Sequence, residues 1–161
     1  MSGGARPPAA SALKVQAALD ALGLDARVRE LDVPARTAQE AAEALGVPVG
    51  AIAKSLVFRA ERAGAVLVVA AGDRRVDERA VGAALGEPIG RADPAYVREV
   101  TGYAIGGIPP LGHATAPVLF VDESLARFPT VWAAGGTPHA VFPIAPAALL
   151  ALPGALRILF V

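Results

Sequence analysis

Two segments of this chain combine residue types that can do chemistry. The first is Ile52-Ala53-Lys54-Ser55-Leu56-Val57-Phe58, an apolar run with one lysine in its middle. The second is Gly106-Gly107-Ile108-Pro109-Pro110-Leu111-Gly112-His113. The chain carries thirteen arginines and only two lysines, Lys14 and Lys54. Lysine is rarely buried without a partner, and a compact, mobile ammonium does work that a planar guanidinium cannot. Its stem can also snorkel to water, which is the plain structural reading of a lysine on a strand. Glycines in succession allow a ligand to approach the backbone, and their amides can donate to a carbonyl oxygen or a developing oxyanion without any catalytic side chain. The plain reading of that segment is a tight turn stiffened by Pro109 and Pro110.

Other candidate chemistries are weaker. Ser11-Ala12-Leu13-Lys14 fits a Ser-x-x-Lys pattern, but the accompanying elements are missing, so Ser11 is expected to be a helix N-cap. Ser55 projects to the opposite strand face from Lys54, which makes it a poor partner for that lysine. His113 and His139 are the only histidines and have no ligand spacing; a metal site would need both of them completed by Asp73 or Asp122. Gly102 to Gly107 matches neither a Walker loop nor a dinucleotide turn. Asp73-Arg74-Arg75-Val76-Asp77-Glu78 reads as a solvated turn and helix start, with an anionic ligand at Arg74 or Arg75 as the alternative. His139, in a loop feeding a strand, is most simply a packing or surface residue.

These residues need a frame. Leu13, Ala17, Ala18 and Leu22 repeat at helical spacing up to Gly23. Ala26 to Asp32 alternates as a strand. Thr37-Ala38-Gln39-Glu40 is a capping box that opens a helix to Leu45-Gly46. Strands over 52–59 and 65–71 form a hairpin through residues 60–64. Asp77 and Asp93-Pro94 are N-caps of two short helices, and residues 102–113 are loop. Strands are expected at 117–121, 130–133, 139–144 and 157–161, with short helices at 122–128 and 146–150. Short strands mixed with short helices, without a βαβ rhythm, give an α+β fold on a mixed sheet.

Length and composition set limits. With 161 residues, 54% apolar and 19% charged, the chain is expected to be one domain over residues 11–161, with residues 1–10 frayed. Fifteen basic residues balance fifteen acidic ones, so bulk binding to DNA or another long nucleic acid by phosphate neutralisation is not expected. The absence of cysteine removes thiol nucleophiles and disulfides and fits a cytoplasmic protein. Neither a secretory leader nor a membrane span is expected.

Taken in order, several segments resemble one family, the YbaK/EbsC-type aminoacyl-tRNA deacylases, relatives of the insertion (editing) domain of prolyl-tRNA synthetases. They are Ala41 to Val47 leading into Ile52 to Phe58, Ala71 to Asp77, Thr101 to Pro110, and Val118 to Asp122. The resemblance spans about residues 28–155. It implies a curved, partly barrel-like mixed sheet with helices packed around it, and no cofactor. It implies that Lys54 is the residue most needed for deacylation and that Gly106, Gly107 and Ile108 contact the aminoacyl ester through their backbone. His139 matches a histidine near the pocket of the synthetase domain, one that many YbaK proteins lack. Arg74 and Arg75 are candidates for touching the tRNA end.

The implied reaction is hydrolysis of the ester joining a wrong amino acid to tRNA, with tRNA(Pro) the expected carrier. The implied partners are the acceptor end and a prolyl-tRNA synthetase. A synthetase pocket separates amino acids that differ by a methylene by only about 1–3 kcal/mol, which makes a second sieve useful. Two other readings stay open. One is a module of this fold that binds aminoacyl-tRNA or a synthetase without turnover; the other is a small-ester or amide hydrolase using the same backbone donors. Leu45, Val47, Ile52, Phe58, Ile105 and Ile108 are the residues whose placement would set pocket size.

Overall fold

A computed structural model describes residues 9–161, and it is organised around one long hairpin. Strand β2 (Ile52–Ala60) and β3 (Gly64–Ala71) pair antiparallel along their whole length, from Ala53 opposite Ala71 to Ala60 opposite Gly64. β3 is apolar on both faces, and Val66 to Ala71 are fully buried. Such a continuous run belongs at the centre of a sheet covered on both sides.

Around this hairpin lie β1 (Arg29–Glu30), β4 (Ile89–Arg91), β5 (Val118–Asp122), β6 (Val131–Ala134), β7 (Ala140–Ile144) and β8 (Leu156–Ile158). The order is β1-β7-β6-β2-β3-β5-β8, with β4 also on β2. The β2–β6, β3–β5 and β5–β8 contacts are parallel and the others antiparallel. The sheet is therefore mixed, and it is not closed into a barrel. Helices α1 (Ala10–Ala21), α2 (Ala38–Leu45), α3 (Glu78–Leu85), α4 (Pro94–Thr101) and α5 (Pro146–Leu150) complete an α+β fold. No helix among the described residues is long and apolar enough to cross a membrane.

The caps follow the sequence. Thr37, Asp77 and Asp93 each accept a hydrogen bond from the main-chain N–H three residues on. Four expectations shift. Ser11 is not an N-cap: α1 begins at Ala10, and Ala9 stands at the cap without a side-chain bond. Residues 1–8 of the expected frayed end lie outside the described residues. The strand expected over Ala26 to Asp32 shrinks to Arg29–Glu30, because Gln16 of α1 serves its main chain instead. Gln16 donates to Ala26 O at 3.0 Å and accepts from Val28 N at 2.8 Å. At the other end β8 stops at Ile158, and Phe160 turns inward to donate to Asp122 Oδ1 at 3.4 Å. The segment after β5 is a 3-10 turn over Glu123–Arg127 rather than an α-helix.

Candidate active site

The feature that makes a site is a fork in the sheet. β6 and β4 both pair with the same edge of β2, β6 at Ile52 and Ala53, β4 at Phe58 to Ala60. Between them, residues 54–57 have no strand neighbour on that edge. A cavity of about 320 Å³ opens there. Its walls include Lys54 and Ser55 from β2, Ala38 and Ala41 from α2, Trp132 and Ala133 from β6, and Ile105, Gly106 and Ile108 from the loop after α4.

Lys54 is half-buried and no hydrogen bond or ion pair holds its ammonium among the described residues. Burial makes it less basic than an exposed lysine, and the negative charges of Asp73 and Asp122 offset part of that effect. Neither carboxylate is free to pair with it. Asp73 is gripped by Arg127, Nη1 at 2.9 Å and Nη2 at 2.7 Å. Asp122 is fully buried and accepts from Ala71 N at 3.1 Å, Ser124 N at 2.9 Å and Ser124 Oγ at 2.7 Å. The Lys54 ammonium is thus left unpaired by the charged groups nearest it, which suits it to hold an anion or a polar oxygen.

The glycine–proline loop is held from several directions. Gly106 adopts φ +99°, a left-handed conformation that side chains resist. A Cβ on Gly107 would stand 2.6 Å from Thr137 Cα, so the loop and the β6–β7 turn cross backbone to backbone. His113 Nε2 donates to Pro109 O at 2.7 Å, and Tyr103 OH donates to Gly112 O at 3.0 Å. Lys14 Nζ lies 4.6 Å from the centre of the Tyr103 ring, a cation–π contact. The other lysine of the chain thus braces the loop of the site.

The structure brings Lys54, Gly106 and Ile108 to one cavity; Gly107 is buried just behind the wall. The Gly107 N–H is already used, donating to Ala104 O at 3.1 Å. The N–H groups of Gly106 and Ile108 have no partner among the described residues, so within this loop they are the free main-chain donors at the cavity. His139, Arg74 and Arg75 do not line the cavity. His139 supports the neighbouring turn, its carbonyl accepting from Leu31 N at 2.6 Å. Arg74 lies beside Asp73, Nε to Oδ1 3.9 Å. Ser55 Oγ is buried without a partner, and the hydroxyl does not reach Lys54. Among the described residues no His, Asp or Glu cluster could hold a metal.

Of the residues considered for pocket size, Ile52, Ile105 and Ile108 line it; Leu45, Val47 and Phe58 do not. Sequence reasoning missed Arg36 and Trp132, which do. Arg36 had one available signal, its place directly before the Thr37 capping box. Trp132 had none, since a strand tryptophan is ordinarily core.

The fold is an α+β domain on a mixed sheet, with one lysine and a glycine loop at a small, largely apolar cavity. The family model of the aminoacyl-tRNA editing domain matches residues 32–152, and the chain belongs to that family, in its YbaK/EbsC-type branch related to the insertion domain of prolyl-tRNA synthetase. Among curated relatives, the uncharacterized protein YwhH of Bacillus subtilis (strain 168) is 39% identical over 119 residues, covering 74% of this chain and 76% of YwhH. EbsC of Enterococcus faecalis (strain ATCC 700802 / V583), whose proposed activity is deacylation of Cys-tRNA(Pro) and Cys-tRNA(Cys), is 26% identical over 119 residues, covering 72% and 71%. A solved structure described as a proposed trans-editing enzyme for prolyl-tRNA synthetase is 46% identical, with TM-score 0.90 and coverage of 96% of this chain and 98% of that one. Another, described as a hypothetical protein, is 33% identical with TM-score 0.85, covering 91% and 98%.

Proposed function

We propose that this protein is a trans-editing hydrolase that removes a small, wrong amino acid from tRNA, with tRNA(Pro) as the carrier. The observation that carries this reading is the single cavity shared by Lys54, Gly106 and Ile108. Family membership and the 46%-identical trans-editing relative support it.

The reaction breaks the ester bond between the aminoacyl carbonyl and the ribose oxygen of the terminal adenosine. Water adds to the carbonyl, the ribose oxygen leaves with a proton, and the products are free amino acid and uncharged tRNA. None of the residues lining the cavity is Asp, Glu or His, so no carboxylate or imidazole stands there as a general base. The neighbouring ribose hydroxyl helps instead, relaying a proton from the attacking water to the departing ribose oxygen. The Gly106 and Ile108 amides would donate to the oxygen on which charge develops. Lys54 positions the nucleotide or the aminoacyl group through its unpaired ammonium. The cavity is lined by Ala35, Ala38, Ala41, Ala53, Ala133 and Ala140, which suits a small side chain.

The test uses trace protein with excess tRNA(Pro) charged with alanine, cysteine, serine, threonine or 2-aminobutyrate. Multiple turnovers on at least one of them are expected. Stoichiometric protection of the ester without turnover would show a binding module instead.

A further inference from the structure

The open edge of β2 has a use that the lysine and the loop do not fill. Gly72 N donates to Ile52 O at 2.8 Å across the hairpin, which sets the alternation of main-chain groups along β2. Ile52, Lys54 and Leu56 direct their N–H and C=O toward β3. Ala53, Ser55 and Val57 direct theirs to the other edge. Ala53 is met there by β6 and Arg59 by β4, in register with Ala133 and Gly90. Ser55 falls in the fork, and both its N–H and its C=O face the cavity without a strand partner.

We propose that this Ser55 main-chain pair reads the base of the terminal nucleotide, the donor going to adenine N1 and the acceptor taking adenine N6–H. The proposal rests on the editing reading above, because it assumes that an adenosine carries the scissile ester. Three features favour a nucleobase. An adjacent donor and acceptor on one side of a strand are matched by a group offering both in one plane. The Watson–Crick edge of a base does this, whereas an ammonium only donates and an ester carbonyl only accepts.

A ring bonded edge-on to β2 must also lie in the plane of the sheet, where apolar walls face it from both sides. Ala41 packs with Ile52 and Trp132 on one face, while Ile108 and Val97 pack with Ala53 and Ala133 on the other. Finally, the gap is too short for an added peptide strand, since β4 resumes pairing at Phe58 and β6 occupies Ala53. Strand addition depends on a longer run of main-chain bonds.

The experiment uses ¹⁵N-labelled protein and 3′-alanylamino-3′-deoxyadenosine, in which an amide replaces the ester and cannot be cleaved by this chemistry. The proposal expects the Ser55 amide proton to shift downfield and to exchange more slowly on binding. It also expects about tenfold weaker binding when the base is 1-deazaadenine, which lacks the N1 acceptor. Ser55→Pro removes the N–H without removing a bond to β3. In that variant the two ligands are expected to bind alike. Equal affinity of the wild type for both ligands, an unmoved Ser55 amide, or no binding of either ligand overturns the proposal. If Ser55→Pro does not fold, the two wild-type measurements still decide. Turnover on mischarged tRNA is measured separately, so loss of the base contact and loss of the editing function are told apart.

Discussion

Arg127 closes on Asp73 with two nitrogens, at 2.9 and 2.7 Å, and the carboxylate so held is the stronger of the two negative charges acting on Lys54. Arg127 ends the 3-10 turn after β5, Asp73 follows β3, and the same Arg127 also donates through Nε to Ser124 O at 2.7 Å. Asp73 therefore sits at a fixed place near the cavity, raising the basicity of a lysine it does not bond.

Replacing Asp73 by Asn removes that field. Lys54 is expected to become less basic still, measured by its side-chain ¹⁵N or ¹³Cε titration. Deacylation that needs the ammonium falls as pH rises through the Lys54 pKa, which already lies below the ordinary 10.5. After correction for spontaneous ester hydrolysis, this limb is expected at lower pH in Asp73→Asn. An unmoved limb would show that Lys54 protonation does not control the rate. Asp73 itself is held below the usual carboxylate range, first by its hydrogen bond from Arg127. Its stabilising contribution is present above the unfolded value near 3.8 and is lost as pH falls through the lower folded value.

Lys54→Met separates function from stability. The deacylation rate kcat/KM is expected to fall on the order of 10²- to 10³-fold. The melting temperature is expected to stay level or rise, because a half-buried charge without a partner is exchanged for an apolar stem of similar length. Full activity in the folded variant would remove Lys54 from the mechanism.

Gly107→Ala tests the crossing behind the cavity. Its Cβ would meet the main chain of Thr137 at 2.6 and 2.7 Å, and neither strand of chain can rotate away as a side chain would. A loss of about 1–3 kcal/mol in stability is expected by urea denaturation, together with reduced activity, although this residue does not line the site.

His113 carries a pH dependence that runs in the opposite direction to that of Lys54 chemistry. Burial makes it harder to protonate, while its bond to Pro109 O acts the other way. Its folded pKa lies below 6.5, so the unfolded chain binds more protons in the window between the two values. The contribution of His113 is full above 6.5 and declines as pH falls through that window. His113→Gln is expected to flatten the stability profile there, measured by thermal melts between pH 4 and about 7. An unchanged slope would mean that the imidazole takes up its proton equally in the folded and the unfolded chain.

Much of the frame was legible because local rules and tertiary packing agreed. Thr37, Asp77 and Asp93 cap as their spacing implies, and the Ile52–Ala71 hairpin is visible in its apolar runs and its glycine at residue 64. Lys54 and the Gly106 segment stood out because each breaks a local pattern. The fork in the sheet could not be seen, since it depends on β4 and β6 meeting one edge of β2 from distant parts of the chain. The use of the Gly107 amide was hidden for a different reason, since its bond to Ala104 O depends on the exact dihedrals of the turn. The short β1 shows the limit of alternation: Arg27 to Glu30 has a strand pattern, but a glutamine from α1 competes for its main chain.

The alanine lining of the cavity has an evolutionary side. Ala35, Ala38, Ala41, Ala53, Ala133 and Ala140 contribute methyl groups to its walls, while Lys54 and the main-chain groups supply its polarity. On the proposed reading, exchanging the methyl of Ala35, Ala38 or Ala140 for a hydrogen or an isopropyl group alters which amino acid is admitted and leaves the polar groups in place. On that reading a lineage carrying this fold drifts from one mischarged substrate to another in single steps, its polar groups inherited unchanged.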